Sequence, residues 1–183
     1  MIMLNKIRDL VKKEADESDW KYHIVPVVKY AKKLAKILNA DEELVEIAAL
    51  LHDIGRIRFG SENHHITGIS EAEKILLKYN APQDVIDEVK HCIESHRATK
   101  GVSPRTKIAK IIANADAMAH FDILPVFFYW RSKKQTFDEV FKWVDDKIER
   151  DWREKLTLPE AKTIMKDKYK AIKLILDSNK EYM

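Results

Sequence analysis

The stretch "EELVEIAALLHDIGR", residues 42–56, decides the fold class, because it joins an apolar helical stripe to a polar ending. Its apolar residues recur at spacings of three and four, which predicts one buried helix face. They are Leu44, Ile47, Ala48 and Leu51. Asp41 is the predicted N-cap of this helix, and Gly55 is predicted to end it. His52 and Asp53 need partners or a cation, since an unpaired charge is costly beside a core.

The same helical spacing continues on both sides of this stretch. Further buried stripes are predicted over residues 24–38, 72–79, 85–93, 108–119, 137–148 and 161–176. Ser103-Pro104 is predicted to open the fourth of these helices, while residues 56–67 lack a helical pattern and predict a polar loop. No strand pattern competes, and 4 Gly and 5 Pro are few for a fold with many β-turns. The sequence therefore predicts an all-α protein.

Composition limits the class of protein further. A chain of 183 residues predicts a single domain with a substantial core. The formal net charge of +3 is too small to indicate nucleic-acid binding. The single cysteine, Cys92, excludes an internal disulfide, and no apolar run approaches the roughly 20 residues that span a bilayer. We therefore expect a cytoplasmic protein that does not interact with membranes.

Several polar residues fall on the predicted apolar helix faces. His23 lies at the edge of the first stripe, and Asp116 lies within the almost wholly apolar "IAKIIANADAMA". With His52 and Asp53 they would form a mixed nitrogen and oxygen site, which suits Mn, Fe, Ni, Co or Zn better than Ca. His96 lies on the inward face of its own helix. A thiolate zinc site is excluded because the chain has no second cysteine.

The order of these residues resembles a known signature. His23, the pair His52-Asp53 and Asp116 are similar to the H…HD…D pattern of the HD-domain metal-dependent phosphohydrolases. Further matches are "HDIGR" at 52–56, "HHITG" at 64–68, "CIESHR" at 92–97 and "NADAMAHFD" at 114–122. The resemblance covers roughly residues 20–122. It implies an HD-domain-like helical bundle as the core, with residues 123–183 as a C-terminal helical extension within one domain, 1–183.

The resemblance also implies a metal site and a reaction. His23, His52, Asp53 and Asp116 would bind a divalent ion, with Asp53 and His52 as the catalytic residues of a phosphoester or phosphoanhydride hydrolase. The metal is left open among Mn, Fe, Ni, Co, Zn and Mg. Some relatives hold a second metal ion with extra histidines. Here His64 and His96 match those positions best, and His65 competes with His64.

Cations near the signature suit a phosphorylated substrate. Arg56 follows Asp53 by three residues and Arg97 follows His96, and the planar guanidinium fork donates two parallel hydrogen bonds to phosphoryl oxygens. Arg56, Arg97 and His65 are therefore the predicted substrate-binding residues. Arg58 is more simply interpreted as solvating a loop.

Two features depart from or extend beyond the pattern. Asn114 stands where several relatives carry an acidic residue, which questions any role of this position in the metal site. Residues 127–130 are "FFYW", and we interpret them as packing the extension onto the bundle rather than stacking on bases.

Three functions follow as alternatives. The first is a metal-dependent phosphohydrolase acting on a nucleotide or another small phosphorylated metabolite. The second is an HD-type nuclease, which the modest net charge disfavours. The third is a metal or nucleotide sensor without turnover. A homo-oligomer is compatible with each of them.

Overall fold

The computed structural model describes residues 2–97 and 101–182. Its long helices are α1 (Ile2–Glu14), α3 (Val25–Ile37), α4 (Glu42–Leu51), α6 (His64–Lys78), α7 (Gln83–Ser95), α8 (Lys107–Asp122), α10 (Phe137–Arg150) and α11 (Pro159–Asn179). Shorter elements are α2 (Glu17–Asp19), α5 (Ile54–Phe59) and α9 (Leu124–Arg131), π-helical turns at Trp20–Ile24 and Asp151–Lys155, and a 3-10 turn at Lys180–Tyr182. No strand occurs in the described ranges, so the predicted all-α class is confirmed.

Helix α8 lies at the centre of the fold. It packs against α3, α4 and α7. It also packs against α11, which belongs to the C-terminal part of the chain. Twelve of its 16 residues are buried. Five of these are alanines (Ala109, Ala113, Ala115, Ala117 and Ala119), and such small side chains let neighbouring helices approach closely. Polar side chains on α8 are consequently buried between helices.

The predicted polar loop over residues 56–67 is only partly a loop. Helix α5 occupies Ile54–Phe59, and α6 begins at His64, so the connection is four residues long. Gly55 does not end α4 but lies within α5, where its backbone touches α6: an added Cβ would lie 2.5 Å from Gly68 N. Arg58 fixes the end of α5 by bonding to Glu14 and Glu71. Its role is therefore structural, beyond simple solvation.

One helix start and two whole helices also differ from the prediction. Helix α8 begins at Lys107 rather than near Ser103-Pro104, because the Thr106 hydroxyl accepts a hydrogen bond from Ala109 N–H and caps it. The prediction omitted α1 and α9. Asp41, in contrast, caps α4 as predicted, through a bond from Leu44 N–H.

The C-terminal extension packs onto the bundle through aromatic side chains. Phe127 is buried and contacts the rings of His120 on α8 and Trp143 on α10. Phe128 packs on Phe141, whereas Tyr129 is exposed. The packing interpretation of residues 127–130 is thus confirmed except at Tyr129.

In the described part of the chain, no single helix is both long and apolar enough to cross a membrane. Helices α8 and α9 reach that length and composition only as a pair, and a 75° bend separates them.

Candidate metal centre

The four residues of the predicted signature converge at one buried point. His23 Nε2 lies 3.0 Å from Asp53 Oδ2 and 3.2 Å from His52 Nε2. Asp116 Oδ1 lies 3.7 Å from His23 Nε2 and 4.0 Å from His52 Nε2. Three separate segments supply these side chains: the π-helical turn before α3, the end of α4 and the middle of α8.

Local backbone geometry directs the side chains of two of these segments into the cluster. Pro26 follows the π-helical turn that carries His23, and a proline has no N–H to bond back into the preceding turn. Single π-helical turns are common at functional sites. At the end of α4, His52 is still helical, but Asp53 has left the helix with φ −111° and ψ 17°. The change of direction between α4 and α5 therefore turns Asp53 into the cluster.

A repeated hydrogen bond sets the tautomers of three histidines. The Nδ1 atoms of His52, His64 and His96 contact the backbone carbonyl oxygens of Ala49, Ser61 and Ile93, each three residues earlier, at 2.7, 2.8 and 2.6 Å. Because a carbonyl only accepts, each Nδ1 must donate its hydrogen, and each neutral ring then presents the Nε2 lone pair. These are the donor atoms that a metal ion requires.

The opposed lone pairs show that the site fits a cation. His64 Nε2 and His96 Nε2 face each other at 3.2 Å, with both Nδ1 hydrogens already donated elsewhere. Two lone pairs at this distance repel, and a cation bound by both removes the repulsion. His64 Nε2 also lies 3.4 Å from Asp53 Oδ1, and its role as a ligand of a second metal ion stays a prediction.

Asp53 joins two groups of candidate ligands. Its Oδ2 atom faces His23 and His52, while its Oδ1 atom lies 3.4 Å from His64 Nε2 and 3.6 Å from His96 Nε2. Ligand atoms within 4.8 Å of one another are found in the set His23, His52 and Asp53 and in the set Asp53, His64 and His96. The carboxylate is thus positioned to bridge two ions.

The buried surroundings and neighbouring charges of these groups shift their pKa values toward the protonation states that bind a metal ion. Burial lowers the pKa of His52 and lowers that of His96 to about 3, so both rings are neutral near pH 7. Burial alone would raise the pKa of Asp53, but His52 and Arg56 outweigh it and hold that pKa well below its usual range. The pKa of Asp116 is likewise low, because Lys155 and His120 outweigh its burial. Neutral imidazoles and ionised carboxylates are the forms that coordinate metals.

The predicted substrate-binding residues lie in different surroundings. Arg56 donates from Nε to Asp53 Oδ2 at 2.7 Å and from Nη1 to Asp19, while its buried Nη2 has no partner among the described residues. Arg97 lines the same cavity and lies 3.3 Å from His65 Nδ1. His65 itself is not among the described residues that line the cavity. Its predicted contact with substrate stays a prediction.

The site contains residues that the sequence analysis missed. His120 Nε2 lies 3.4 Å from Asp116 Oδ1, and its Nδ1 lies 2.8 Å from Asp151 Oδ2. Lys155 donates to Asp116 Oδ2 at 3.0 Å, and Lys147 bonds to Asp151. His120 follows Asp116 by four residues on α8, a spacing that places both on one helix face and that could have revealed it.

A cavity of about 510 Å³ opens beside the cluster. The lining residues from the HD-like core include His23, Asp53, Arg56, His64, His96, Arg97 and Asp116. Others come from the C-terminal extension, including Trp130, Arg131, Trp143, Lys147, Arg150 and Lys155. The extension therefore forms part of the site.

Asn114 serves the extension instead of the metal cluster. Its Nδ2 donates to Lys110 O and Thr157 Oγ1, and its Oδ1 accepts from the N–H groups of Thr157 and Leu158. Three of these four bonds tie the segment after the second π-helical turn to α8, and the fourth stays within α8. An acidic residue lacks the two donated bonds, which explains the departure from the family pattern in structural terms.

Residues 20–120 match the sequence profile of the HD domain. The chain belongs to the HD-domain family. The HD-domain proteins make up a superfamily of metal-dependent phosphohydrolases. HD domains bind divalent metal ions. The buried His and Asp cluster described above could hold such an ion.

Curated proteins share this domain in longer chains. A ribonuclease Y from Mycoplasma capricolum is 37% identical over 98 residues, which are 53% of this chain and 18% of that protein. A tRNA (cytidine(56)-2'-O)-methyltransferase from Picrophilus torridus is 31% identical over 114 residues, which are 55% of this chain and 31% of that protein. The chain thus spans less than a third of the length of these curated relatives.

Solved structures match more of the chain. Bacillus subtilis YpgQ in complex with ADP has a TM-score of 0.75 at 20% identity, covering 98% of this chain and 94% of that one. At this identity the likeness shows a shared fold. A predicted HD superfamily hydrolase from an uncultured Thermotogales bacterium has a TM-score of 0.58 at 25% identity, covering 79% and 84%. At a coarse level the HD-domain match and this neighbour support a hydrolase.

Proposed function

We propose that this protein is a divalent-metal-dependent phosphohydrolase that acts on a nucleotide or another small phosphorylated metabolite. One observation carries the proposal: histidine nitrogens and aspartate carboxylates meet in a cluster that opens directly into a cavity lined with cationic side chains. Such a pairing of metal donors with arginines suits a reaction in which charge accumulates on phosphoryl oxygens.

The chain would hold metal ions at two adjoining positions. His23, His52, Asp53 and Asp116 are the proposed ligands of the first ion, and Asp53, His64 and His96 those of a second. A bound divalent ion would supply Lewis-acid polarisation of a phosphoryl oxygen and would lower the pKa of a neighbouring water.

Protein side chains would orient the attacking water and donate hydrogen bonds to the phosphoryl oxygens. Asp53 is ionised, so a carboxylate oxygen can accept a hydrogen bond from the attacking water and orient it toward phosphorus. His52 Nε2 lies 3.7 Å from Asp53 Oδ2, and its lone pair would help to hold the ion beside that carboxylate. The free Nη2 of Arg56 and the guanidinium of Arg97 can donate to the phosphoryl oxygens as their charge grows.

The size of the cavity supports a small substrate. A volume of about 510 Å³ falls within the usual range of roughly 300–1,000 Å³ for small-molecule sites. The complex of B. subtilis YpgQ with ADP, a protein of the same fold, supports a nucleotide in particular.

A nuclease is the second candidate, and the similarity to ribonuclease Y favours it. A nuclease would need to bind a strand through many phosphates, so its affinity for RNA should fall steeply with salt.

Hydrolysis assays with a panel of nucleotides, phosphomonoesters and RNA would separate these functions. Each substrate is tested with Mn²⁺, Ni²⁺, Co²⁺ and Mg²⁺, for the wild type, Asp53→Ala and the exposed control Asp9→Ala. We expect metal-stimulated turnover of a small substrate that Asp53→Ala lowers by about 10²-fold or more and Asp9→Ala preserves.

Other results would contradict the proposal in different ways. Faster cleavage of RNA than of any small substrate would favour the nuclease. Bound metal without turnover of any substrate would favour a sensor. If Asp53→Ala kept the turnover of the wild type, the proposed metal centre would not take part in the reaction.

A further inference from the structure

The C-terminal extension contributes an unusual number of positive charges to the cavity. Four of the six cationic side chains in its described lining are Arg131, Lys147, Arg150 and Lys155, all from the extension. Only two carboxylates, Asp53 and Asp116, line the same space.

Three of the six lining cations form ion pairs, and Arg97 contacts His65 Nδ1 at 3.3 Å. Arg56 bonds to Asp53 and Asp19, Lys155 bonds to Asp116, and Lys147 bonds to Asp151.

Arg131 and Arg150 differ from these residues. Neither forms an ion pair with any residue in 2–97 or 101–182. Arg150 also lies near Lys155, so that two positive charges oppose each other. Unpaired guanidinium groups in a concave, partly dry site are suited to an anionic group of a ligand.

Arg131 is held in place by an aromatic ring. Its guanidinium carbon lies 3.9 Å from the centroid of the Trp143 ring, and its Nε is buried without a hydrogen-bond partner among the described residues. Stacking on the ring fixes the plane of the guanidinium but leaves its N–H edges free. The side chain is thus preorganised to donate in that plane.

Helix α10 carries its cavity-lining side chains on a single face. Trp143, Lys147 and Arg150 are separated by four and three residues, which places them on the same side of the helix. Phe127 contacts both His120 and Trp143, at 5.5 and 5.4 Å between ring centroids. The contacts from His120 through Phe127 and Trp143 therefore connect the metal cluster with Arg131.

We propose that Arg131 and Arg150 bind a second phosphate group of the substrate, beyond the phosphate that lies at the metal cluster. The proposal rests on the proposed function and narrows its substrate class to molecules with two or more linked phosphates. The Arg131–Trp143 stack and Arg150 would then determine specificity, while Arg56 and Arg97 would contact the reacting phosphate.

Binding of inorganic phosphates of increasing chain length tests this subsite without turnover. Orthophosphate, pyrophosphate and tripolyphosphate are titrated into the full chain by calorimetry in EDTA, so that chelation of metal does not contribute. Tryptophan fluorescence, to which Trp143 contributes, provides a second readout. The variants are Arg131→Gln and Arg150→Gln, with Arg153→Gln as a matched control, because Arg153 is largely exposed and does not line the cavity.

We expect tripolyphosphate to bind the wild type more tightly than orthophosphate, and each cavity variant to lower this preference by about tenfold. Arg153→Gln should keep it. Two variants are used so that a folding defect in one leaves the other informative. Equal affinity for all three phosphates, or an unchanged preference in both cavity variants, would overturn the proposal. Failure of the proposed function would appear separately, as intact chain-length preference without hydrolysis of any substrate.

Discussion

At the scale of single residues, the Nδ1 hydrogen bonds of His52, His64 and His96 determine what the cluster can bind. Each of these hydrogens goes to a carbonyl three residues earlier, so each Nε2 lone pair points into the site. Each ring is oriented by the chain turn that precedes it and does not depend on a distant partner. The donor atoms are consequently in position before any ion arrives.

Replacing His64 should remove one of two metal equivalents. His64→Ala deletes a donor from the set with Asp53 and His96, while the set with His23 and His52 is untouched. We expect the number of Mn²⁺ ions bound per chain to fall by one, as measured by equilibrium dialysis and elemental analysis. His65→Ala is the matched control and should leave the number unchanged. An equal loss in both variants would contradict the second position.

The buried histidines also predict how stability depends on pH. Burial lowers the pKa of His96 to about 3, and burial together with Lys147 lowers that of His120 to about 4, against 6.5 in an unfolded chain. Between these values the unfolded state binds more protons, so the folded state loses stability as pH falls. The free energy of unfolding of the metal-free protein should therefore decrease below about pH 6.5, by at most about 1.4 kcal/mol per group and pH unit. Urea denaturation at pH 7.5, 6.5, 5.5 and 4.5 checks this, and equal midpoints would contradict it.

At the scale of helices, the contact between α5 and α6 places His64 beside Asp53. Gly55 and Gly68 meet at this contact, and neither adopts a left-handed conformation. Gly55 is required because there is no space for a side chain: a Cβ there would lie 2.2 Å from His64 O. The glycine that the sequence analysis interpreted as a helix end is therefore a packing residue.

Adding a methyl group at this contact should disturb both stability and the site. Gly55→Ala forces two backbones apart, and we expect it to cost at least about 2 kcal/mol of unfolding free energy. Gly68→Ala should cost less, because the nearest atom to its Cβ is the Ile93 side-chain methyl at 3.0 Å. Urea denaturation of both variants gives the comparison. A milder effect for Gly55→Ala than for Gly68→Ala would refute this explanation.

The same elements show which features a sequence can reveal. The stripes of α3, α4 and α7 are long and periodic, so these helices could be predicted from local spacing. The signature residues were identified by their resemblance to a family pattern. Helix α5 has six residues, too few to display a period, and its place depends on contact with α6. Lys155 reaches Asp116 from 39 positions away, and only tertiary packing brings the two together.

At the scale of the whole molecule, the extension and the HD-domain core share one site. Asn114 and Asp116 are neighbours on α8. Asn114 binds the backbone after the second π-helical turn, and Asp116 accepts a hydrogen bond from Lys155 within that turn. The extension therefore neutralises part of the charge of the cluster and also supplies one wall of the cavity.

Removing the Asn114 side-chain amide should loosen this connection. Asn114→Ala leaves the N–H groups of Thr157 and Leu158 without their acceptor, and we expect a loss of about 1–3 kcal/mol in unfolding free energy. Urea denaturation measures the loss. Asn179→Ala, at a half-buried position at the end of α11 where the amide bonds only within its own helix, is the control and should cost less. A neutral Asn114→Ala would show that the extension is held by other contacts.

The most direct test of the central claim is an anomalous difference map from crystals of the protein grown with Mn²⁺. The predicted result is a strong peak about 2.0–2.4 Å from the facing atoms of His23, His52, Asp53 and Asp116. A second peak between Asp53, His64 and His96 would extend the centre to two ions. A cluster without any peak, in crystals that bind Mn²⁺ elsewhere, would contradict the proposal that these residues form a metal centre.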